Sequence, residues 1–312
     1  MGDYILNLLP VTEEEKEEFA AIAPDAVHVY AGRRTVTEEQ LAQATVLFGW
    51  PRPADVAKAG NLKWFQTMWA GTDEYTARNV PGEGVVFTSS SGSNRLSVAE
   101  HMLASMLSLC HRLPLYRDSQ RQHQWKDYGK MKTIFGATVL VVGAGNIGAT
   151  FGKMCQSLGA TTIGLKRTVN GPVEGFDEVY PMEKLDELLP QADVVALCLP
   201  HSPETVKLMN AERIARMKED AILLSAGRGT VLDQQALAEA MQGGKLWGAA
   251  LDVTDPEPLP EDSPLWDIPN LLLTPHVAGG MRLEITRRTC VEMAMDNLRR
   301  YLAGEPLKNR GR

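Results

Sequence analysis

The feature that most constrains the fold is a glycine-rich turn near the middle of the chain, set between an apolar run and an amphipathic stretch. The run Val139-Leu-Val-Val142 is followed by Gly143-Ala-Gly145-Asn-Ile-Gly148. In such a turn the first glycine permits the bend, the second lets the backbone approach a pyrophosphate, and the third lets helix and strand pack closely. The next helix, predicted from about Asn146 to Leu158, offers its first N–H groups to phosphate. The segment therefore predicts a dinucleotide-binding unit.

Bulk composition narrows the class of protein and the partners to expect. The 312 residues are 44% hydrophobic, which favours two domains over one, and the formal net charge of -7 argues against binding to nucleic acid. No apolar run approaches the roughly 18 residues of a membrane-spanning helix, and the N-terminus lacks the pattern of a secretory signal. The four cysteines are widely spaced and form no metal-binding motif. We therefore expect a cytoplasmic protein without a metal site, a disulfide framework, a membrane segment or a nucleic-acid partner.

Short apolar runs alternate with helical stretches over both halves of the chain. A capping box at Thr12-Glu-Glu-Glu15 predicts the first helix, and a second box at Ser97-Val-Ala-Glu100 predicts the start of a long apolar helix. Near-continuous apolar runs are typical of parallel strands that are buried on both faces of a sheet. The fold class predicted is α/β, with parallel sheets. The strands predicted after the glycine turn are 161–165, 194–199, 221–225, 247–253 and 270–274.

Three ionisable residues follow the last three of these strands. Arg228, Glu257 and His276 each come shortly after a strand, and ligands of open α/β sheets bind beyond the carboxyl ends of strands. Reduction of a 2-keto acid needs a proton donor, and histidine titrates near neutrality. A carboxylate next to the imidazole favours its charged form, and an arginine can hold a substrate carboxylate by a planar fork. The trio predicts hydride transfer to or from a small anionic carbonyl or alcohol compound.

The cofactor preference is predicted from the end of the strand after the glycine turn. An NAD site usually places Asp or Glu there, to bind the ribose 2′-hydroxyl. This chain has Lys166, Arg167 and Thr168 instead. Cations and a hydroxyl attract a 2′-phosphate, which a carboxylate would repel. We therefore expect NADP(H) to be preferred, with NAD(H) as a possible second cofactor.

Together these motifs closely resemble the D-isomer-specific 2-hydroxyacid dehydrogenase family, over nearly the whole chain. The resemblance rests on the glycine turn, Leu199-Pro200-His-Ser-Pro-Glu-Thr205, the Arg-Gly segment at Arg228, Asp-Val…Glu-Pro, and Pro-His-Val-Ala-Gly. It implies that Arg228 binds substrate, that Glu257 orients His276, and that His276 is the acid/base. It also implies that Asp252 contacts the nicotinamide carboxamide.

The family's fold implies a flavodoxin-like substrate domain, a Rossmann-like nucleotide domain, and an active site in the cleft between them. We expect the substrate domain to comprise residues 1–96 and 283–312, and the dinucleotide-binding domain to comprise residues 97–282. The family also implies a homodimer built on the dinucleotide-binding domain.

The expected ligand contacts form two sets. The cofactor set is Gly143, Gly145, Asn146, Ile147, Gly148, Lys166, Arg167, Thr168, Leu199, Pro200, Thr205, Ala226 and Asp252. The substrate set is Trp50, Trp69, Ala70, Gly71, Arg228 and Arg282. In the second set, the backbone of Ala70 and Gly71 is expected to hold the substrate carboxylate, and the two tryptophans to form an aromatic wall.

Within the family, the resemblance is to the branch that contains glyoxylate and hydroxypyruvate reductases, which leads us to expect an NADPH-preferring reductase of a small 2-keto acid. Two alternatives remain at this point. One is a nucleotide-sensing binding protein of the same fold with little or no turnover, since corepressors of this type keep the same trio. The other is hydride abstraction from a one-carbon acid, as in formate dehydrogenase. Glu257 argues against the second alternative, because that relative pairs its histidine with glutamine.

Overall fold

The chain forms two compact units in the computed structural model, which describes residues 2–311. The first unit is Met1–Asn94 with Met281–Arg312, and the second is Arg95–Gly280. The boundaries expected from the sequence lie two residues further along the chain at both junctions. Within residues 2–311, none of the helices is both long and apolar enough to cross a membrane.

The first unit contains a parallel five-stranded sheet with the strand order β2-β1-β3-β4-β5. This is the flavodoxin-like order. The capping box predicted at Thr12 is present, because the Thr12 hydroxyl accepts from the Glu15 N–H and the Glu15 carboxylate accepts from the Thr12 N–H. The elements up to the junction are β1 (Tyr4–Asn7), α1 (Glu13–Ile22), β2 (Val27–Tyr30), α2 (Glu38–Gln43), β3 (Val46–Gly49), α3 (Pro53–Lys58), β4 (Trp64–Thr67), α4 (Asp73–Thr76) and β5 (Val86–Thr88).

The second unit contains a parallel seven-stranded sheet with the order β12-β11-β10-β9-β6-β7-β8. Its first six strands in chain order follow the Rossmann arrangement, and β12 extends one edge. The elements are α5 (Arg95–Cys110), α6 (Leu113–Arg121), β6 (Thr138–Val142), α7 (Asn146–Ser157), β7 (Thr161–Lys166), β8 (Glu178–Pro181), α8 (Leu185–Leu188), β9 (Val194–Leu197), α9 (Ala211–Arg216), β10 (Ile222–Ser225), α10 (Gln234–Gln242), β11 (Gly248–Leu251) and β12 (Leu271–Leu273).

Both faces of the second sheet are buried, as the apolar runs predict. Leu140 and Val142 of β6 pack in one hydrophobic cluster, while Val139 and Val141 pack in another on the opposite face. The second cluster also contains residues of α5 and α7. The predicted fold class, α/β with two parallel sheets, is confirmed.

Helix α11 (Glu284–Leu302) belongs to the first unit although it comes last in the chain. Its residues Val291, Ala294 and Leu298 are buried in one cluster with Phe48 of β3 and Trp64 of β4. The return of the chain therefore completes the core of the first unit.

One helix start was predicted wrongly, and two strands were not predicted. Helix α5 begins at Arg95, so Ser97 lies buried inside its first turn and is not the predicted N-cap. Strands β5 and β8 were not predicted. Both lie at the edge of a sheet and are only partly buried, so neither needs a continuous apolar run.

Candidate active site

The loops that carry the predicted site residues of the second unit leave the same edge of its sheet. The parallel register aligns Leu273 with Leu251, Leu251 with Ser225, Ser225 with Leu197, and Leu197 with Val142. These five residues form one row across β12, β11, β10, β9 and β6, with neighbouring strands roughly 4.8 Å apart. The glycine turn follows this row directly in the chain, and the three catalytic candidates each come within six residues of it. They therefore extend from the edge at which open parallel sheets bind ligands.

Two glycines of the turn after β6 lie where a side chain would not fit. Gly143 has φ +112°, and a Cβ there would lie 2.8 Å from the carbonyl oxygen of Cys198. A Cβ at Gly148 would lie 2.3 Å from the carbonyl oxygen of Gly143, so the helix packs directly against the turn. At both positions a side chain would collide with backbone.

Gly145 differs, because a Cβ there would meet no protein atom within 4 Å. Helix α7 begins directly after it, without a side-chain hydrogen bond at its cap among the described residues. Its first residue, Asn146, is exposed, and Ile147 is partly exposed. Open space beside a glycine at an uncapped helix N-terminus fits the pyrophosphate of a dinucleotide.

Two positively charged side chains lie exposed at the end of the next strand, β7. Lys166, Arg167 and Thr168 are all exposed where β7 ends. Glu204, in the loop after β9, has a pKa below its usual range. The largest cause is a hydrogen bond from Ser202, and the charge of Arg167 contributes.

In that loop, Leu199 and Pro200 follow β9, and Thr205 holds the turn closed. The Thr205 hydroxyl donates to the Pro200 carbonyl at 2.8 Å and accepts from the Ser202 N–H at 2.8 Å. This threonine therefore has a structural role within the loop. A cofactor contact for Leu199, Pro200 or Thr205 stays a prediction.

Arg228 is carried by a segment that packs tightly on both sides. A Cβ at Gly227 would lie 2.2 Å from the Leu199 carbonyl oxygen, and one at Gly229 would lie 2.1 Å from backbone atoms of Thr254. Ala226, which precedes them, donates its N–H to the Leu197 carbonyl at 3.1 Å. Both glycines are therefore required by close approach, and they fix the backbone on either side of the partly buried arginine.

Glu257 and His276 form a hydrogen-bonded pair. The His276 Nδ1 lies 2.8 Å from the Glu257 Oε2, and the two side chains are 46% and 40% exposed. The other carboxylate oxygen accepts from the Thr254 N–H at 3.2 Å, which fixes the carboxylate. Because an ionised carboxylate only accepts hydrogen bonds, Nδ1 carries the proton of this bond. Nε2 is then left to exchange a proton with a ligand.

Asp252 lies buried behind this pair, directly after β11. Its Oδ1 accepts from the Val277 N–H at 2.9 Å, and its Oδ2 accepts from the Ala278 N–H at 3.1 Å. Its carbonyl oxygen accepts from the His276 N–H at 2.8 Å. The residue expected to contact the nicotinamide thus also holds the backbone that carries the histidine.

Two residues of this cluster were not predicted from the sequence. Thr274 donates its hydroxyl to the Asp252 Oδ1 at 2.7 Å, and His101 of α5 places Nε2 3.1 Å from the same hydroxyl. Thr274 is the first residue of the Thr-Pro-His motif, and its place beside His276 is a local signal that could have marked it as a site residue. His101 lies 173 residues earlier in the chain, inside an apolar helix. No local pattern marks it.

In the first unit, the two tryptophans of the expected substrate set touch each other. The rings of Trp50 and Trp69 meet edge to face, with their centroids 5.4 Å apart. Arg33 stacks on the Trp50 ring at 3.5 Å, and Glu74 accepts from the Trp50 indole N–H at 2.7 Å. Neither Arg33 nor Glu74 was predicted. Together they fix the ring of Trp50.

The remaining members of the substrate set also lie in this unit. Ala70 and Gly71 follow β4 and are partly exposed. Arg282 is exposed and lies two residues before α11. Their contact with substrate stays a prediction, as does that of the two tryptophans.

A Rossmann-type sheet whose ligand-binding edge carries a glycine cradle and a Glu–His pair is typical of nicotinamide-dependent oxidoreductases. The family model for the NAD-binding domain of D-isomer-specific 2-hydroxyacid dehydrogenases matches residues 103–278. The chain therefore belongs to the D-isomer-specific 2-hydroxyacid dehydrogenase family, and it is an NAD(P)-dependent oxidoreductase.

Two curated relatives illustrate the range of substrates among similar proteins. The chain is 32% identical to the D-3-phosphoglycerate dehydrogenase of Mycobacterium tuberculosis over 98% of its own length. It spans only 54% of that relative, about half of its length. It is 29% identical to the hydroxypyruvate reductase of Blautia hydrogenotrophica, over 82% of this chain and 81% of the relative.

Solved structures match over the whole chain. A D-isomer-specific 2-hydroxyacid dehydrogenase family protein from Aeromonas salmonicida has a TM-score of 0.86 at 31% identity, covering 100% of this chain and 99% of that one. A D-isomer-specific 2-hydroxyacid dehydrogenase from Xanthobacter autotrophicus, in complex with NADPH and MES, has a TM-score of 0.83 at 29% identity, covering 100% and 98%.

Proposed function

We propose that this dehydrogenase is an NADPH-preferring reductase of small 2-keto acids, of the glyoxylate and hydroxypyruvate class, which forms D-2-hydroxy acids. The observation that carries the proposal is the 2.8 Å pair of Glu257 and His276, on loops after β11 and β12, with Arg228 after the adjacent strand β10. These three neighbouring positions supply a proton donor, its orienting carboxylate and a cation for an anionic substrate.

When bound, a reduced nicotinamide would supply the hydride that the carbonyl carbon accepts. The imidazolium of His276 donates the Nε2 proton to the carbonyl oxygen. Glu257 holds Nδ1 and stabilises the charged ring before the transfer. Arg228 binds the carboxylate of the keto acid and polarises its carbonyl. In the reverse direction neutral His276 accepts the proton from the hydroxyl.

The cofactor would lie along the glycine turn. Gly145 leaves room for the pyrophosphate, and the N–H groups at the start of α7, from Asn146 to Gly148, would bind it. Asp252 would accept from the carboxamide, since a carboxylate has about four acceptor positions and the hydrogen bonds from Thr274, Val277 and Ala278 use three.

The preference for NADPH is supported by the charge at the end of β7. Lys166 and Arg167 are exposed there, with the Thr168 hydroxyl beside them. A 2′-phosphate would gain charge-assisted hydrogen bonds from these groups. The Xanthobacter relative, whose structure contains NADPH, is consistent with this preference.

The small-substrate assignment is supported by the bulk of the first unit's aromatic pair. Trp50 and Trp69 contact each other, and Arg33 and Glu74 restrain Trp50, so this wall would leave little room for a long substituent. The N–H groups of Ala70 and Gly71 have no acceptor within residues 2–311 and would be available to a carboxylate. Arg282 is the further cation proposed for substrate binding.

A homodimer through the second unit is part of the proposal. The segment from residue 113 to residue 135 of this unit exposes large apolar side chains, and such surface usually marks an interface. The exposed residues are Leu113, Trp125, Met131 and Phe135. Sedimentation at micromolar concentration should give twice the mass of 34.2 kDa for the chain, whereas a monomer would contradict this part of the proposal.

We also propose that the enzyme works in the cytoplasm. All four of its cysteines are free thiols, and three of them are buried. Free thiols are typical of proteins from a reducing compartment.

The experiment that tests the proposed function is NADPH and NADH oxidation by the purified protein against a panel of keto acids. The panel is glyoxylate, hydroxypyruvate, pyruvate, 2-ketoisocaproate, phenylpyruvate, 2-ketopantoate and 3-phosphohydroxypyruvate. We expect the highest kcat/KM with NADPH and one of the first two. Preference for the phosphorylated acid, or for NADH, would overturn the corresponding part of the proposal. Tight cofactor binding without turnover would instead favour a nucleotide-sensing role.

A further inference from the structure

Helix α5 contributes a histidine to the back of the site. His101 lies with Nε2 3.1 Å from the Thr274 hydroxyl and 3.9 Å from the Asp252 carboxylate, and its side chain is 27% exposed. The hydroxyl of Thr274 has a single proton, which it donates to Asp252 at 2.7 Å. Its oxygen can therefore only accept from His101, which makes Nε2 the protonated nitrogen of this ring. The direction of both hydrogen bonds follows from this count.

The series of hydrogen bonds from His101 through Thr274 and Asp252 ends at the backbone that carries His276. Asp252 is only 5% exposed, and its carboxylate binds the N–H groups of Val277 and Ala278. Its carbonyl oxygen binds the N–H of His276 itself. This one residue therefore accepts hydrogen bonds from the successive N–H groups of residues 276–278.

The backbone at His276 needs such restraint. His276 has φ +50°, in the left-handed region that residues other than glycine rarely adopt. A conformation of this kind is unfavourable and persists only where its surroundings hold it. The bonds from Asp252 lie on both sides of this strained residue, at its own N–H and at the two N–H groups that follow.

We propose that His101 is a positioning residue, which acts through Thr274 and Asp252 to hold the His276 segment in its reactive geometry. The inference rests on the proposed function, in which His276 transfers the proton. His101 itself does not touch the reacting atoms. It fixes the Thr274 hydroxyl, which in turn fixes the Asp252 carboxylate against rotation.

Removal of the Nε2–H donor of His101 should slow the chemical step more than it weakens cofactor binding. We expect His101→Met to lower kcat about tenfold, since small displacements of a catalytic group are costly. The KM for NADPH should change less than about twofold. His101→Gln should recover most of the rate, because its amide nitrogen can occupy nearly the position of Nε2. His111→Met is the matched control, since His111 is exposed just beyond the end of the same helix.

A double-mutant cycle separates positioning from general destabilisation. Thr274→Val deletes the hydroxyl at constant shape, and Thr274→Ser retains it. If the effect of His101 passes through this hydroxyl, His101→Met should change kcat less than about twofold in the Thr274→Val background and about tenfold in the Thr274→Ser background. Equal losses in both backgrounds, or a wild-type kcat for His101→Met, would overturn the proposal. If His101→Met does not fold, the cycle is made with His101→Gln, which should keep most of the wild-type kcat in the Thr274→Ser background and lose it in the Thr274→Val background. A kcat for His101→Gln that is equally high in both backgrounds would overturn the proposal.

Failure of the proposed function gives a different pattern. His276→Gln should be nearly inactive if His276 is the acid. An active His276→Gln would reject the proposed function, whereas an inactive His276→Gln with a normal His101→Met would reject the role of His101 alone.

Discussion

The imidazole of His276 and the carboxylate of Glu257 lie 2.8 Å apart although 19 residues separate them in the chain. The contact forms because β11 and β12 are adjacent parallel strands, whose carboxyl ends are in register. The Glu257 carboxylate accepts the hydrogen bond of Nδ1, so Nε2 is the ring nitrogen that can exchange a proton with a ligand.

The first prediction concerns His276 as proton donor. His276→Gln should lower kcat/KM for reduction by about 10²- to 10⁴-fold, as expected on loss of a general acid. The Kd for NADPH, measured by fluorescence titration, should stay within about threefold, because this side chain holds no cofactor phosphate. In the wild type, a higher pH should slow reduction, which consumes a proton, and should speed oxidation of the hydroxy acid, which releases one. A reduction rate that stays flat into strongly alkaline solution would eliminate His276 as the acid.

The second prediction separates the charge of Glu257 from its shape. Glu257→Gln keeps the length of the side chain but removes the charge that stabilises imidazolium, so reduction should slow by about 10- to 100-fold. Glu261→Gln is the matched control, since Glu261 is exposed a few residues further along the same loop. Equal rates for the Glu257→Gln and Glu261→Gln enzymes would show that the carboxylate has no part in proton transfer.

The third prediction concerns the choice of cofactor. Arg167→Asp should raise the KM for NADPH at least tenfold and leave that for NADH nearly unchanged, since a carboxylate repels a 2′-phosphate and can bind a ribose hydroxyl. Arg34→Asp provides the control, because Arg34 is an exposed arginine of the first unit. Kinetics with both cofactors measure the outcome. A parallel rise in both KM values would mean that Arg167 does not bind the 2′-phosphate.

The fourth prediction distinguishes two glycines of one turn. Gly145→Ala should leave the Tm unchanged, because its Cβ would meet no protein atom within 4 Å, but it should weaken cofactor binding. Gly148→Ala should lower the Tm, because its Cβ would lie 2.3 Å from the Gly143 carbonyl oxygen. Thermal melts with and without NADPH compare the two. Unimpaired cofactor affinity in Gly145→Ala would place the pyrophosphate elsewhere.

The fifth prediction concerns acid stability of the first unit. Arg287 donates to both carboxylate oxygens of Glu15, at 2.7 and 2.9 Å, and this hydrogen bonding is the main cause that lowers the pKa of Glu15 below its usual 4.5. A carboxylate with a lowered folded-state pKa contributes stability above its unfolded pKa, and the contribution disappears as the pH falls through the folded one.

Glu15→Gln should therefore lower the free energy of unfolding by about 2 kcal/mol at pH 7, with the difference from wild type shrinking below about pH 4.5. Glutamine can still accept in the capping box with Thr12, so the exchange spares the cap and removes the charge together with one acceptor of the Arg287 fork. Glu14→Gln, at an exposed position of the same helical turn, is the control. Denaturant unfolding at several pH values gives the comparison, and a pH-independent difference would assign the effect to something other than the ion pair.

Local patterns were enough to predict much of this protein. The glycine turn, the capping box at Thr12 and the buried strands of the second unit follow from short-range chemistry, because each depends on a few consecutive residues. Helix α7 was predicted to end at about Leu158 and ends at Ser157. The edge strands β5 and β8 were missed because strands that are only partly buried carry no continuous apolar run.

The sequence by itself thus determined the α/β class, the cofactor turn and the candidate trio Arg228, Glu257 and His276, since each is marked by residue type and by its place after a strand. Only the tertiary structure decided the strand order, which brings those loops to one row, and the contact of His101 with Thr274 across 173 residues. Such long-range contacts depend on how helix α5 packs on the sheet. Side-chain packing between distant segments leaves no periodic or motif-like trace in the chain.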